Sequence, residues 1–360
     1  MEFVPGLDLC RRFHDDVVGP IVRGRFPDLR YAAGRLDTGS ELLGLDTPRS
    51  IDHDWGPRLQ VFLAPSDGHL AHRVERAVAD DLPAAFLGFP TRFAGHPDTG
   101  LGVLSRTGDR HGVRAGVLGD WLAESLGFDP RLGVGTEDWL AVPTQRLAEF
   151  TGGAVFHDDL GEAGPTRARA ALGWYPDDVW RYVLAAQWTR IAQEEHLVGR
   201  CAEVGDDLGS MVLAARVARD LMRLFLLLER RYPPYGKWLG SEFGRLPGAP
   251  EVGDALSGAV RAATWRERER QLCRALTLAA VRTNERGLAA AQDPAVSRFH
   301  RRPFLVLHAD RFASALRDAI TDPALRDRPP VGAVDQFVDS TDVTASAARA
   351  RRVAAAVLPD

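Results

Sequence analysis

The chain predicts an α/β N-terminal domain, a short mixed sheet with flanking helices, followed by an all-helical C-terminal domain. Three observations lead there. The first half alternates short apolar runs with Gly and Pro punctuation, as strands and turns require. From about Asp177 to Leu288 apolar residues recur at helical spacing with few breakers. Between these regions the stretch 158–165 (DDLGEAGP) is acidic, small and turn-prone, and it sets domains at 1–165 and 166–360. At 360 residues the chain is long enough for two cores.

Taken in order, Leu7 to Val22 predicts an opening helix with Leu9, Phe13, Val17 and Ile21 on one stripe. Tyr31 to Leu36 predicts a strand entering a turn at Gly39-Ser40. Asp52 to Leu63 predicts a second strand, in which Leu59, Val61 and Leu63 alternate with Arg58, Gln60 and Phe62. Gly56-Pro57 interrupts that strand and predicts a bulge or bend. Leu70 to Ala79 predicts a helix, and His111 to Leu118 a third strand with Val113, Ala115 and Val117 on one face.

The second domain opens at Tyr175-Pro176-Asp177-Asp178, with acids at a helix start, and continues through Trp180, Val183, Leu184, Gln187 and Ile191. A longer helix is predicted from about Asp206 to Arg231, with Leu213, Val217, Leu221, Phe225 and Leu228 on a stripe. Another is predicted from about Val252 to Thr283, where the run Arg-Glu-Arg-Glu-Arg at 266–270 reads as a solvated face with intrahelical ion pairs. The alanine-rich tail Ala345 to Ala356 predicts a terminal helix.

Composition narrows the function classes. A content of 45% hydrophobic and 26% charged residues with net charge -4 is that of a soluble globular protein. That charge argues against nucleic-acid binding by bulk electrostatics. Cys10, Cys201 and Cys273 are odd in number and far apart, without metal-ligand spacing, so they read as reduced thiols. The N-terminus lacks a signal h-region, and the longest apolar run, Leu224 to Leu228, is far short of a membrane span; a cytoplasmic protein without membrane contact is expected. Of 45 Lys and Arg residues only Lys237 is a lysine, which marks it as a position where a compact ammonium is wanted or as a chance survivor of arginine-rich drift.

The chemistry concentrates at Gly39-Ser40 and, after eleven intervening residues, at Asp52-His53-Asp54. On a strand, residues two apart share a face, so Asp52 and Asp54 would converge. Two hard carboxylates beside a Gly-Ser turn suit Mg²⁺ carrying ATP or another nucleoside triphosphate. Backbone N–H groups at Gly39 and Ser40 can cradle phosphates, glycine permits close approach, and the Ser40 hydroxyl adds a donor. Phosphoryl and nucleotidyl transfers need this charge neutralisation and alignment more than covalent help.

The pattern of strand, Gly39-Ser40, a loop of about ten residues and Asp52-His53-Asp54 resembles the nucleotidyltransferase superfamily of DNA polymerase beta and kanamycin nucleotidyltransferase. Ser50 matches the serine that often precedes the acids, with Ile51 as a one-residue insertion. Across its length the chain resembles the bacterial family known as domain of unknown function 4037, on the stretches 52–58, 175–180, 232–239 and 334–340. The likeness implies a nucleotidyltransferase-like domain over 1–165 and a helical domain over 166–360 that closes the cleft. It implies Asp52 and Asp54 as metal-binding catalytic carboxylates, and Gly39, Ser40 and Lys237 as nucleotide-binding. The implied reaction moves a nucleoside monophosphate from the triphosphate to a hydroxyl acceptor, a small molecule rather than nucleic acid.

Two departures accompany the likeness. Active members supply a third carboxylate from a later strand, whereas 111–118 holds no acid and has Arg114 at a plausible inward position. Asp120, Glu137 and Asp138 lie downstream without a local signal that selects one. His53 stands where an apolar residue is usual and is expected to face away from the metal. The missing acid supports a second reading, a catalytically inactive nucleotide-binding regulatory or antitoxin-like protein; RNA modification is a third. Tyr235 and Trp238 could stack on a base or simply pack. Glu194-Glu195-His196 reads as a helix C-terminus, His69 and His72 as surface residues, and His157-Asp158-Asp159 as structural. No serine lies in a nucleophile-elbow pattern.

Overall fold

The computed structural model describes residues 2–95 and 102–358. The chain forms two compact units, Met1–Asp138 with Arg146–Gly173, and Trp139–Gln145 with Trp174–Asp360. The first is mixed α/β and the second is helical, as expected of the two halves. Among the described residues, no helix is long and apolar enough to cross a membrane.

In the first unit the strands are β1 (Tyr31–Arg35), β2 (Arg58–Leu63), β3 (Arg92–Gly95), β4 (Gly102–Leu104), β5 (Arg110–Val117) and β6 (Ala154–Asp158). Their spatial order is β4-β3-β5-β2-β1-β6. β1 runs antiparallel to β2, with Ala33 opposite Val61, and β2 runs parallel to β5, with Gln60 opposite Arg114. Tyr31 and Ala33 thereby share a face with Leu59, Val61, Leu63 and Val113, and helices cover it through Phe13, Val18, Val22, Val74 and Val78.

The opening helix is longer and less regular than its pattern suggests. Helical segments Gly6–Phe13 and Gly19–Arg25 flank a π turn, His14–Val18, in which the Gly19 amide donates to the His14 carbonyl. Pro20 has no amide to give and its ring crowds the carbonyl four residues back, which a widened turn accommodates. The extra residue moves the buried stripe from the expected Val17 and Ile21 to Val18 and Val22. Val18→Ala should therefore cost about 2 kcal/mol and Val17→Ala well under half of that, as measured by urea unfolding.

The second strand begins later than predicted. Thr47 caps a 3-10 helix, Pro48–Asp52, its hydroxyl accepting from the Arg49 amide while Ser50 Oγ accepts from the Thr47 amide. Asp54 (φ 46°) and Gly56 (φ 136°) then turn the chain through left-handed backbone before β2 starts at Arg58. The predicted strand from Asp52 is thus corrected: neither acid lies on it.

The helical unit is built on Asp177–Glu203 and Asp207–Leu228, with the Asp206 carboxylate capping the second by accepting from the Gly209 amide. The predicted helix from Val252 to Thr283 is two, Ala249–Arg261 and Trp265–Glu285, because Thr264 starts a new helix by accepting from the Glu267 amide. Arg268, expected on a solvated face, is 0% exposed. It donates to Asp207, Ser210 and the Ala262 carbonyl, so one residue of that charge run ties three segments together. The tail helix is Ala347–Val357.

Candidate functional site

β1 delivers the chain to Gly39, whose backbone (φ 148°, ψ 154°) opens a short 3-10 helix, Ser40–Leu43. A side chain at 39 is excluded twice. That φ favours glycine, and a Cβ there would lie 2.3 Å from the Glu41 carboxylate. Glu41 folds back under its own turn and is only 3% exposed.

Beneath the turn lies a buried ionic network. Arg35 Nε and Arg58 Nη2 both donate to Glu41 Oε1, at 3.1 and 2.9 Å, and both guanidiniums also donate to the Thr38 carbonyl. Two cations thus share one carboxylate. Burial alone would push the Glu41 carboxyl up, but Arg35 and Arg58 overcome it and hold it below the usual range. Burial also lowers Arg58, with Arg35 adding to the effect. Arg35 Nη1 and Arg58 Nε are buried without a hydrogen-bond partner. A third guanidinium, Arg146, donates to the Asp37 carbonyl and to Ser125 and sits 3.6 Å from Glu149. Arg146 also stands 3.8 Å from the Asp37 carboxylate, so it is balanced by its own acids, and the excess positive charge under the turn is that of Arg35 and Arg58 on the single Glu41.

The acids stand apart from this network. Asp52 ends the 3-10 helix, and its Oδ1 lies 2.9 Å from His53 Nδ1, so His53 bonds its immediate neighbour. The Asp54 amide donates to the Gly102 carbonyl at 2.7 Å, and the Gly102 amide donates to Asp54 Oδ1 at 2.9 Å. This pair of bonds ties the acid loop to the start of β4. Asp52 and Asp54 are both exposed.

Of the residues considered for a third acid, Asp120 lies in the first turn of Leu118–Leu126, and Glu137 and Asp138 in the first turn of Thr136–Ala141. Arg114, expected inward, is exposed on β5. Among the described residues no group of three or more His, Cys, Asp or Glu side chains is arranged to hold a metal ion. Lys237 belongs to the helical unit, exposed in the first turn of Gly236–Phe243, its Nζ 4.6 Å from the Trp238 ring centroid. His69 and His72 are exposed, as expected. Glu195 and His196 are not at a helix end but inside Asp177–Glu203.

The network residues Arg35, Glu41 and Arg58 were not among the sequence candidates. Their one available signal was an ionisable residue in each apolar run next to the Gly-Ser turn.

The fold and site thus define an α/β unit with a mixed sheet and a glycine turn over buried arginines, in a chain that also carries a helical unit. Residues 139–239 match the family model described as Domain of unknown function (DUF4037). The match takes in the stretches 175–180 and 232–239 and leaves 52–58 and 334–340 outside it. No curated protein matches the chain.

Proposed function

We propose that the α/β unit binds a nucleoside triphosphate and transfers its nucleoside monophosphate to a hydroxyl acceptor. The observation that carries this reading is the Gly39-Ser40 turn over the buried Arg35–Glu41–Arg58 network. The missing Cβ of Gly39 makes room for the Glu41 carboxylate, and two guanidiniums on that one carboxylate leave positive charge beneath turn amides that phosphate oxygens could meet. Antiparallel β1–β2 with parallel β2–β5 supports a nucleotidyltransferase-like sheet, since it brings the Gly-Ser turn and the acid loop to the ends of adjacent strands.

Asp52 and Asp54 would hold Mg²⁺. That ion commonly takes one or two carboxylates and completes its shell with phosphate oxygens and water, so a two-acid loop suits a metal that arrives with the nucleotide. The ion would neutralise phosphate charge. The chain's own contribution is alignment: Ser40 and the turn amides hold the phosphates while the acceptor hydroxyl attacks the α-phosphorus and pyrophosphate leaves.

The test is incorporation of AMP into small hydroxylated acceptors by wild type and Asp52→Asn. A loss of about a hundredfold is expected, and equal rates in the two proteins would remove Asp52 from the reaction. A second reading, nucleotide binding without turnover in a regulatory or antitoxin-like protein, is favoured by the lack of a carboxylate on β5. Calorimetric binding of ATP with no pyrophosphate released in any acceptor pool would decide for it.

A further inference from the structure

We propose that the helical unit carries a separate site, a cavity around His308 that binds a small organic anion through its carboxylate or phosphate group. The cavity is about 540 Å³, within the range of roughly 300–1,000 Å³ typical of small-molecule sites. Ala192, Phe299, Ala313 and Pro330 give it apolar wall, and His196, His300, His308 and Arg317 give it edge donors.

The site is built rather than incidental. The Glu195 carboxylate reaches from Asp177–Glu203 and accepts from the Leu307 and Ala309 amides, both at 2.8 Å. These two amides flank His308, which is thereby fixed in left-handed backbone at φ 58°. His300, which lines the same cavity, is also left-handed, at φ 55°. Two non-glycine residues in this conformation lining one cavity point to backbone imposed by its surroundings. His196 stacks on Phe299, with centroids 4.6 Å apart, and forms a flat floor.

Charge selects the ligand. Arg317 donates from Nη2 to the Arg326 carbonyl at 3.1 Å, and its guanidinium has no carboxylate within ion-pair distance among the described residues. Two carboxylates also line the cavity: Glu195, which is buried and committed to two amides, and Asp310, which is exposed at the N-terminus of Asp310–Asp318. The Arg317 guanidinium and the His300 and His308 imidazoles around the His196–Phe299 floor suit an anionic head on an apolar body.

Calorimetry on the full chain with benzoate, phenyl phosphate and benzylamine tests this. One or both anions should bind saturably with a Kd of about 1 mM or tighter, and benzylamine should not. The tighter anion identifies the preferred head group. Arg317→Gln and His308→Asn should each weaken binding about tenfold or more; asparagine tolerates the left-handed backbone at 308. Should His308→Asn fail to fold, Arg317→Gln decides alone. Binding of neither anion, equal binding of benzylamine, or full affinity in Arg317→Gln overturns the proposal.

Discussion

Glu41→Ala is expected to lower the unfolding free energy of the α/β unit by about 3–5 kcal/mol. Glu41 is the shared acceptor of Arg35 and Arg58, and its removal leaves two guanidiniums in a buried site with only backbone carbonyls to face. Glu41→Gln keeps an acceptor oxygen and should lose less, because the shape of the turn survives while the charge does not. The same network sets a pH dependence. The carboxyl is held below its ordinary value of 4.5, so its contribution is fully present above that pH and is lost as pH falls through the lower folded value. Urea unfolding at pH 7 and below pH 4 measures both effects. A loss under about 1 kcal/mol for Glu41→Ala would mean that the arginines rearrange to water.

Glu195 should show the opposite pH dependence. Burial pushes its carboxyl up to about 7, against two amide hydrogen bonds that favour the charged form. A raised carboxyl binds its proton more tightly in the folded chain. Its contribution is therefore present below about 4.5, the unfolded value, and is lost as pH rises through 7. The helical unit should lose up to about 3 kcal/mol between pH 4.5 and 7.5. Glu195→Gln should abolish that slope. Glu195→Ala should also abolish the slope, costing about 3 kcal/mol near pH 4.5, where the Leu307 and Ala309 amides are left buried without acceptors, and less as pH rises through 7. Parallel pH profiles for wild type and Glu195→Gln would show that the carboxyl does not titrate in this range.

The long elements were legible because periodicity reports burial directly. Of the stripe Leu213, Val217, Leu221, Phe225 and Leu228, all but the half-buried Leu213 are buried as the spacing requires, and Leu59, Val61 and Leu63 line one sheet face. Local competition was not legible. The π turn shifts a stripe by one residue without altering the composition that announces a helix, and Thr264 divides a pattern whose apolar period runs through the break. At the site, the strand pattern after Gly56 was sound, but Thr47, Pro48 and Ser50 fold the preceding residues into a capped 3-10 helix. The Gly39 turn could be read from its residues alone. The network under it could not, since Arg35, Glu41 and Arg58 meet only through the pairing of β1 with β2 and the fold-back of Glu41. Glu195 was hidden for the same reason: its partners, Leu307 and Ala309, lie more than a hundred residues away.

The segment Trp139–Gln145 belongs to the helical unit although the chain on either side of it belongs to the α/β unit. Within its own unit the Thr144 hydroxyl donates to the Pro233 carbonyl and to Asp335, the Gln145 side chain accepts from the Tyr235 amide, and Trp139 packs edge-on against Tyr175. The polypeptide therefore passes between the units three times, and no single cut yields two whole halves. A fragment ending at Gly173 carries a buried tryptophan and a committed threonine away from every one of these partners. Its complement begins at Trp174, where the Pro233 carbonyl loses Thr144 and the Tyr235 amide loses Gln145, while Asp335 keeps Arg223. Separate production of the units requires the seven-residue segment to be returned to the helical one, by permuting the chain or by supplying it as a peptide.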